Sequence, residues 1–126
     1  MMINLSLVAV GGALGACLRY LFGLGVVRLL GHTTIPVGVL GVNVIGSFVM
    51  GVFVVMAAHR GLTHLSPLVL TGLLGGFTTF SAFSLEAVTL IERGQAFHAA
   101  AYVALSVGLS IAGLAMGMLL ARGIFA

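Results

Sequence analysis

Apolar residues run along this chain in four long stretches separated by short polar breaks. From Asn4 to Leu30 only Arg19 and a few small polar residues interrupt the first stretch. At 1.5 Å per residue it is long enough for one tilted membrane span of about 40 Å. Gly31-His32-Thr33-Thr34-Ile35-Pro36 ends it. A second span is predicted from about Val37 to Ala58, closed by His59-Arg60-Gly61-Leu62-Thr63-His64. The third runs from about Ser66, with Pro67 in its first turn where proline is tolerated, to Ile91. Glu92-Arg93-Gly94-Gln95 separates it from the fourth, Phe97 to Ala121, which Arg122 anchors. The prediction is an all-α membrane protein: one domain over residues 1–126, with four spans and both termini on the same side.

The third span does not read as a uniform helix. Gly72-Leu-Leu-Gly-Gly-Phe-Thr-Thr-Phe-Ser-Ala-Phe-Ser84 packs paired glycines, adjacent threonines, two serines and three phenylalanines into a dozen or so positions. Interrupted backbone at membrane depth is tolerated only where it is buried in protein or lines a watery cavity, because a free N–H or C=O facing lipid costs several kcal/mol. A broken third helix carrying the functional site is therefore expected. Small residues also recur four apart, as in Gly11/Gly15, Gly72/Gly76, Ala104/Gly108/Ala112 and Gly113/Gly117. Such spacing lets helix backbones approach closely in lipid.

Composition agrees with this frame. Of 126 residues, 61% are hydrophobic and only 6% charged, far below the roughly one quarter charged of a soluble domain. The net charge of +3 comes from five scattered arginines and two glutamates, with no lysine, so the basic balance is not a nucleic-acid footprint. The single cysteine, Cys17, allows no intrachain disulfide, and the absence of Lys or Arg before Arg19 argues against a signal peptide or a lipidated Cys17. Arginine placement bears on orientation. Arg60 and Arg122 fall on the terminal side and Arg28 and Arg93 on the other, so the topogenic charges balance. A chain that inserts both ways would pair with itself antiparallel, about a two-fold axis in the membrane plane.

Polar residues inside the spans form two stripes. Asn43, Ser47 and Gly51 recur at four-residue intervals in the second span, and Tyr102, Ser106 and Ser110 do so in the fourth. Taken singly, such residues most often bond to their own helix or join neighbouring helices. Arg19 and Glu86 are the ionisable residues deepest within apolar runs and are candidates for function or for anchoring. The four histidines lie on connections and span ends, none with a carboxylate three or four residues on, and no nucleophile–base pair or phosphate loop is present, so an enzyme is not expected. The residues suit passage of a small anion instead. Amide, hydroxyl and phenylalanine-edge donors in series attract an anion weakly enough to release it, where a lysine would hold it.

Three motifs then coincide: Gly11-Gly-Ala-Leu-Gly-Ala-Cys-Leu-Arg-Tyr20, Asn43-Val-Ile-Gly-Ser-Phe48 and Gly75-Gly-Phe-Thr-Thr-Phe-Ser-Ala-Phe-Ser84. Together they resemble the Fluc/CrcB family of fluoride channels over essentially the whole chain. The resemblance implies an antiparallel, dual-topology homodimer in the bacterial inner membrane with two pores, passive export of fluoride, and a structural sodium ion at the dimer centre. It puts the sodium-binding backbone carbonyls on Gly75 and Thr78. The fluoride pathway would use Asn43, Phe80, Phe83, Ser81 and Ser84, the polar track Tyr102, Ser106 and Ser110 with Glu86 beside it, and Arg19 near the vestibule. Ala82 stands where the family pattern usually has threonine, which removes one hydroxyl. Two alternatives share the four spans: a small multidrug exporter, a class with a membrane-embedded glutamate in its first span where this chain has Arg19, and a non-conducting assembly subunit.

Overall fold

The computed structural model describes residues 1–125. Helix α1 spans Met2–Leu30 and α2 spans Val37–Arg60. After a short 3-10 turn at Thr63–Leu65, α3 comprises Pro67–Leu74, wound as a π-helix, and Gly75–Phe77, wound as an α-helix. Thr78 and Thr79 are extended, α4 spans Phe80–Glu92, and α5 spans Ala96–Phe125. Four helical runs are long and apolar enough to cross a membrane, Met2–Leu30, Val37–Arg60, Thr63–Glu92 and Ala96–Phe125, and the third is the one that breaks. This is a multi-pass membrane protein.

The connections turn on glycine. Gly31, Gly61 and Gly94 have φ of +70°, +69° and +77°, the left-handed region that a Cβ disfavours, and each follows or nearly follows the end of a helix. At the terminal side the guanidinium of Arg60 lies 5.2 Å from the centroid of the Phe125 ring, a cation–π contact that ties the end of α2 to the end of α5.

Small residues set which helices touch. A Cβ on Gly11 or Gly15 of α1 would run into the backbone of Leu68, Leu73 and Phe77, and a Cβ on Gly76 would come within 2.7 Å of the Gly12 carbonyl. The α1 and α3 backbones thus cross in direct contact, as the Gly11/Gly15 and Gly72/Gly76 spacing predicts. Gly51 of α2 meets the Leu114 carbonyl, and Gly117 of α5 meets the Phe48 carbonyl, which joins α2 to α5 in the same way. The Ala104/Gly108/Ala112 stripe behaves differently. All three are exposed, because α5 turns the Tyr102, Ser106, Gly117 and Ala121 face inward instead. Between the helix pairs, Phe83, Leu90, Ala99 and Tyr102 form a buried cluster against Ile35, Val39, Leu40 and Ala87.

Candidate functional site

The break between α3 and α4 is held from both sides. Thr78 (ψ 158°) and Thr79 (φ −152°, ψ 121°) leave the helical ladder, and Thr79 caps α4 by accepting a hydrogen bond from the Ala82 N–H at 3.1 Å. From α2, Asn43 reads the backbone of Thr79 twice: Nδ2–H donates to the Thr79 carbonyl at 3.1 Å, and Oδ1 accepts from the Thr79 N–H at 2.8 Å. From α1, the Arg19 Nε–H donates to the Gly76 carbonyl at 3.1 Å. The Thr78 hydroxyl donates back to the Leu74 carbonyl at 2.9 Å, and its methyl nests in the space that Gly46 leaves on α2.

The carbonyls of Gly75 and Thr78 are among those that lose their helical partners in this arrangement. The amide four residues after Gly75 is that of Thr79, which donates to Asn43. The amide four residues after Thr78 is that of Ala82, which donates to the Thr79 hydroxyl. Gly75 and Thr78 therefore offer carbonyl oxygens outside the i to i+4 ladder, hard donors of the kind an alkali or alkaline-earth cation takes.

Beside the break lies a groove of about 320 Å³, lined by Asn43, Ser47, Met50, Thr78, Thr79, Phe80, Phe83, Ser106, Val107, Ser110 and Ile111. Five of the residues assigned to the fluoride pathway from sequence meet here, Asn43, Phe80, Phe83, Ser106 and Ser110, together with Thr78 of the predicted sodium site. The Phe80 and Phe83 rings lie 5.4 Å apart between centroids, and Phe83 in turn packs on Tyr102 at 5.3 Å, both pairs tilted. Phe83 is 8% exposed and Phe80 77%, so the ring row runs from the core to the surface of the single chain. Tyr102, 0% exposed, and Ser106, 5%, carry hydroxyls with no hydrogen-bond partner among the described residues. A buried hydroxyl left unpaired costs about 1–3 kcal/mol, and the two lie one helical turn apart on α5.

Arg19 and Glu86 stand elsewhere. They line a second, larger cavity of about 450 Å³ between α1, α2 and α4, with His32, Thr79, Ala82, Thr89 and Arg93 among its other walls. Thr79 borders both cavities, so the Asn43–Thr79 pair forms part of the partition between them. Ala82 lines the larger cavity, and its missing hydroxyl is missing there. Ser81 and Ser84 lie on the exposed face of α4, Ser81 with its hydroxyl 3.3 Å from that of Thr79 and Ser84 donating to the Phe80 carbonyl at 3.0 Å.

Sequence reasoning missed Thr79. Its cap role was visible in principle, as a threonine three residues before the first inward position of a helix, but its pairing with Asn43 spans 36 residues and leaves no local trace. Asn43 also does more than the reading from sequence gave it. One of its two Nδ2 hydrogens and its Oδ1 are engaged by backbone, which leaves a single N–H free for a ligand. Asn43→Leu keeps the bulk and strands the Thr79 N–H while taking one donor from its carbonyl, so it should cost about 1–3 kcal/mol of stability. Thermal unfolding in detergent checks this, with Asn43→Asp, which keeps only the acceptor, falling between leucine and the parent. Equal melting of all three would mean that the break holds itself.

Residues 6–118 match the family model described as CrcB-like protein, Camphor Resistance (CrcB). A Ruegeria sp. protein named Fluoride-specific ion channel FluC is 68% identical over 124 residues, covering 98% of each chain. Proteins of the same name from Roseobacter denitrificans and Jannaschia sp. are 65% and 73% identical, covering 97% and 79% of this chain and 98% of each relative. By the extent of the family match and the full-length identity to these relatives, the chain belongs to the CrcB-like family.

Proposed function

We propose that this chain forms a fluoride-selective ion channel that lets fluoride leave the cell passively and so lowers its cytoplasmic concentration. The observation that carries the reading is the groove in which two adjacent, tilted phenylalanine rings meet the buried, unpartnered Ser106 hydroxyl and the free N–H of Asn43. The names of its full-length relatives point the same way. Fluoride is small and strongly hydrated, so a narrow path must replace its water with donors that are numerous and individually weak. Hydroxyls of Ser106, Ser110 and Tyr102 can rotate to donate, and ring edges of Phe80 and Phe83 present the positive rim of their quadrupoles. The larger cavity, with Arg19 and Arg93 against one Glu86, is a net cationic antechamber that raises the local anion concentration. No step needs a covalent intermediate, and the protein works as a channel rather than as an enzyme. Purified protein in liposomes loaded with potassium fluoride, with valinomycin to carry the compensating potassium, should release fluoride at a rate that chloride outside does not slow, while liposomes loaded with potassium chloride should stay full. Failure to release fluoride would sink the proposal.

The working unit in this reading is an antiparallel homodimer in the bacterial inner membrane. Support comes from the balanced arginines and from Phe80, which lines the groove yet is largely exposed in one chain. A sodium ion at the dimer centre fits the same picture. Gly75 and Thr78 would hold it through carbonyl oxygens that the break has freed, and two chains would supply four such oxygens. Bound there, the ion supplies fixed positive charge and joins the two breaks. Exchanging sodium for N-methylglucamine during purification should weaken the dimer or slow transport. Indifference of both to every cation would count against the ion.

A further inference from the structure

We infer that Arg19 is a positioning residue, which acts on the break through its Nε–H and the Gly76 carbonyl more than through its charge on a passing anion. The inference rests on the channel reading for its effect on transport, but not for the contact itself. The Gly76 carbonyl, like those of Gly75 and Thr78, loses its helical partner at the break. Its helical partner would be the Phe80 N–H, which belongs to the first turn of the new helix and has turned away with it. Arg19 reaches across from α1, 57 residues earlier in the chain, and supplies the missing donor at 3.1 Å in a part-buried setting. The reach is made short by the glycine crossing below it, where Gly15 and Gly76 let the α1 and α3 backbones touch.

This contact does what Asn43 does from the opposite side. Asn43 fixes Thr79, the last residue before α4, and Arg19 fixes Gly76, within the last turn of α3. Held at both points, the unwound residues cannot slide along the helix axis. Phe80, the first residue of α4, is thereby kept against Phe83 in the groove, and the carbonyls of Gly75 and Thr78 on either side keep their aim.

Charge and contact separate by simple chemistry. In glutamine the side-chain nitrogen lies as many bonds from the backbone as arginine Nε, so Arg19→Gln keeps a donor at the contact and removes the charge. In lysine a methylene occupies that place and the ammonium lies one bond further out, so Arg19→Lys keeps the charge in the cavity and moves the donor off the contact. Arg19→Met removes both. Transport per folded protein and thermal unfolding are measured for all four chains in sodium. The expected order is parent, then Gln, with Lys and Met at least about tenfold below Gln in transport and below it in melting temperature. Lys matching or exceeding Gln in both measures would overturn the inference, as would all three falling alike. Should Lys fail to purify, the neutral pair decides, since Gln and Met differ in the donor and not in charge. If the parent itself carries no fluoride, the channel reading fails, and the melting order alone still confirms or refutes the contact.

Discussion

Phe83→Ile and Phe80→Ile should each reduce fluoride transport by about tenfold or more while the protein still purifies in its native assembly. Isoleucine keeps apolar bulk, so a ring that only fills space should be replaceable at small cost. What isoleucine lacks is a positive edge. Phe83 touches two other rings, Phe80 at 5.4 Å and Tyr102 at 5.3 Å, so its loss interrupts the row in the middle. An aromatic contact of this kind is worth about 1 kcal/mol, and an anion crossing the row loses the edge of the missing ring as well as the alignment of its neighbours. Phe83→Ile should also lower stability more than Phe80→Ile, because Phe83 is buried within its own chain and Phe80 is not. Transport and melting are therefore expected to part company most at Phe80: steep loss of flux with the smaller change in unfolding. If both variants carry fluoride at the parent rate, the rings are packing and the pathway lies elsewhere.

Adding several lysines to the Gly61-Leu62-Thr63 connection should abolish transport when the altered chain is the only one present. The two arginines on each side of the membrane balance, and a few extra cations in one short connection suffice to fix orientation. A chain confined to one orientation cannot form an antiparallel pair. Co-expression with a chain biased the opposite way, by lysines in the His32-Thr33-Thr34 connection, should restore transport. Gly61, Thr63 and His32-Thr33-Thr34 are exposed at helix ends, while Leu62 is half-buried and His32, Thr33 and Thr34 line the mouth of the larger cavity, so the lysines are inserted beside these residues and replace none of them. Full activity from a single biased chain would exclude the antiparallel dimer.

The four spans were legible because each boundary is written in local chemistry. Gly31, Gly61 and Gly94 occupy left-handed backbone near the ends of α1, α2 and α4, where a glycine among polar residues predicts a stop. The broken third span was legible for the same kind of reason, since two adjacent threonines beside paired glycines are a poor continuation of a membrane helix. The π winding of Pro67–Leu74 was not, because those residues are an ordinary apolar run and nothing in their order marks it. At the site, Tyr102, Ser106 and Ser110 fall at helical spacing and so appear as a stripe in the sequence. The partners that hold the break do not. Asn43 finds Thr79 and Arg19 finds Gly76 only after α1, α2 and α3 have packed, and each pairs with main-chain atoms, which carry no sequence signature. Small-residue spacing was half informative. It marked the α1–α3 crossing, but the same spacing at Ala104, Gly108 and Ala112 faces outward, because spacing alone does not say which side of a helix has a neighbour.

The central claim is selectivity for fluoride, and the reversal potential of the current through a planar bilayer tests it most directly. With fluoride on one side and an equal concentration of chloride on the other, at equal sodium, the account predicts a current that reverses far from zero, at a potential with the sign and size set by fluoride alone. Reversal near zero would mean that the pore passes both anions alike or passes sodium, whose equilibrium potential under these conditions is zero; either result contradicts selectivity for fluoride.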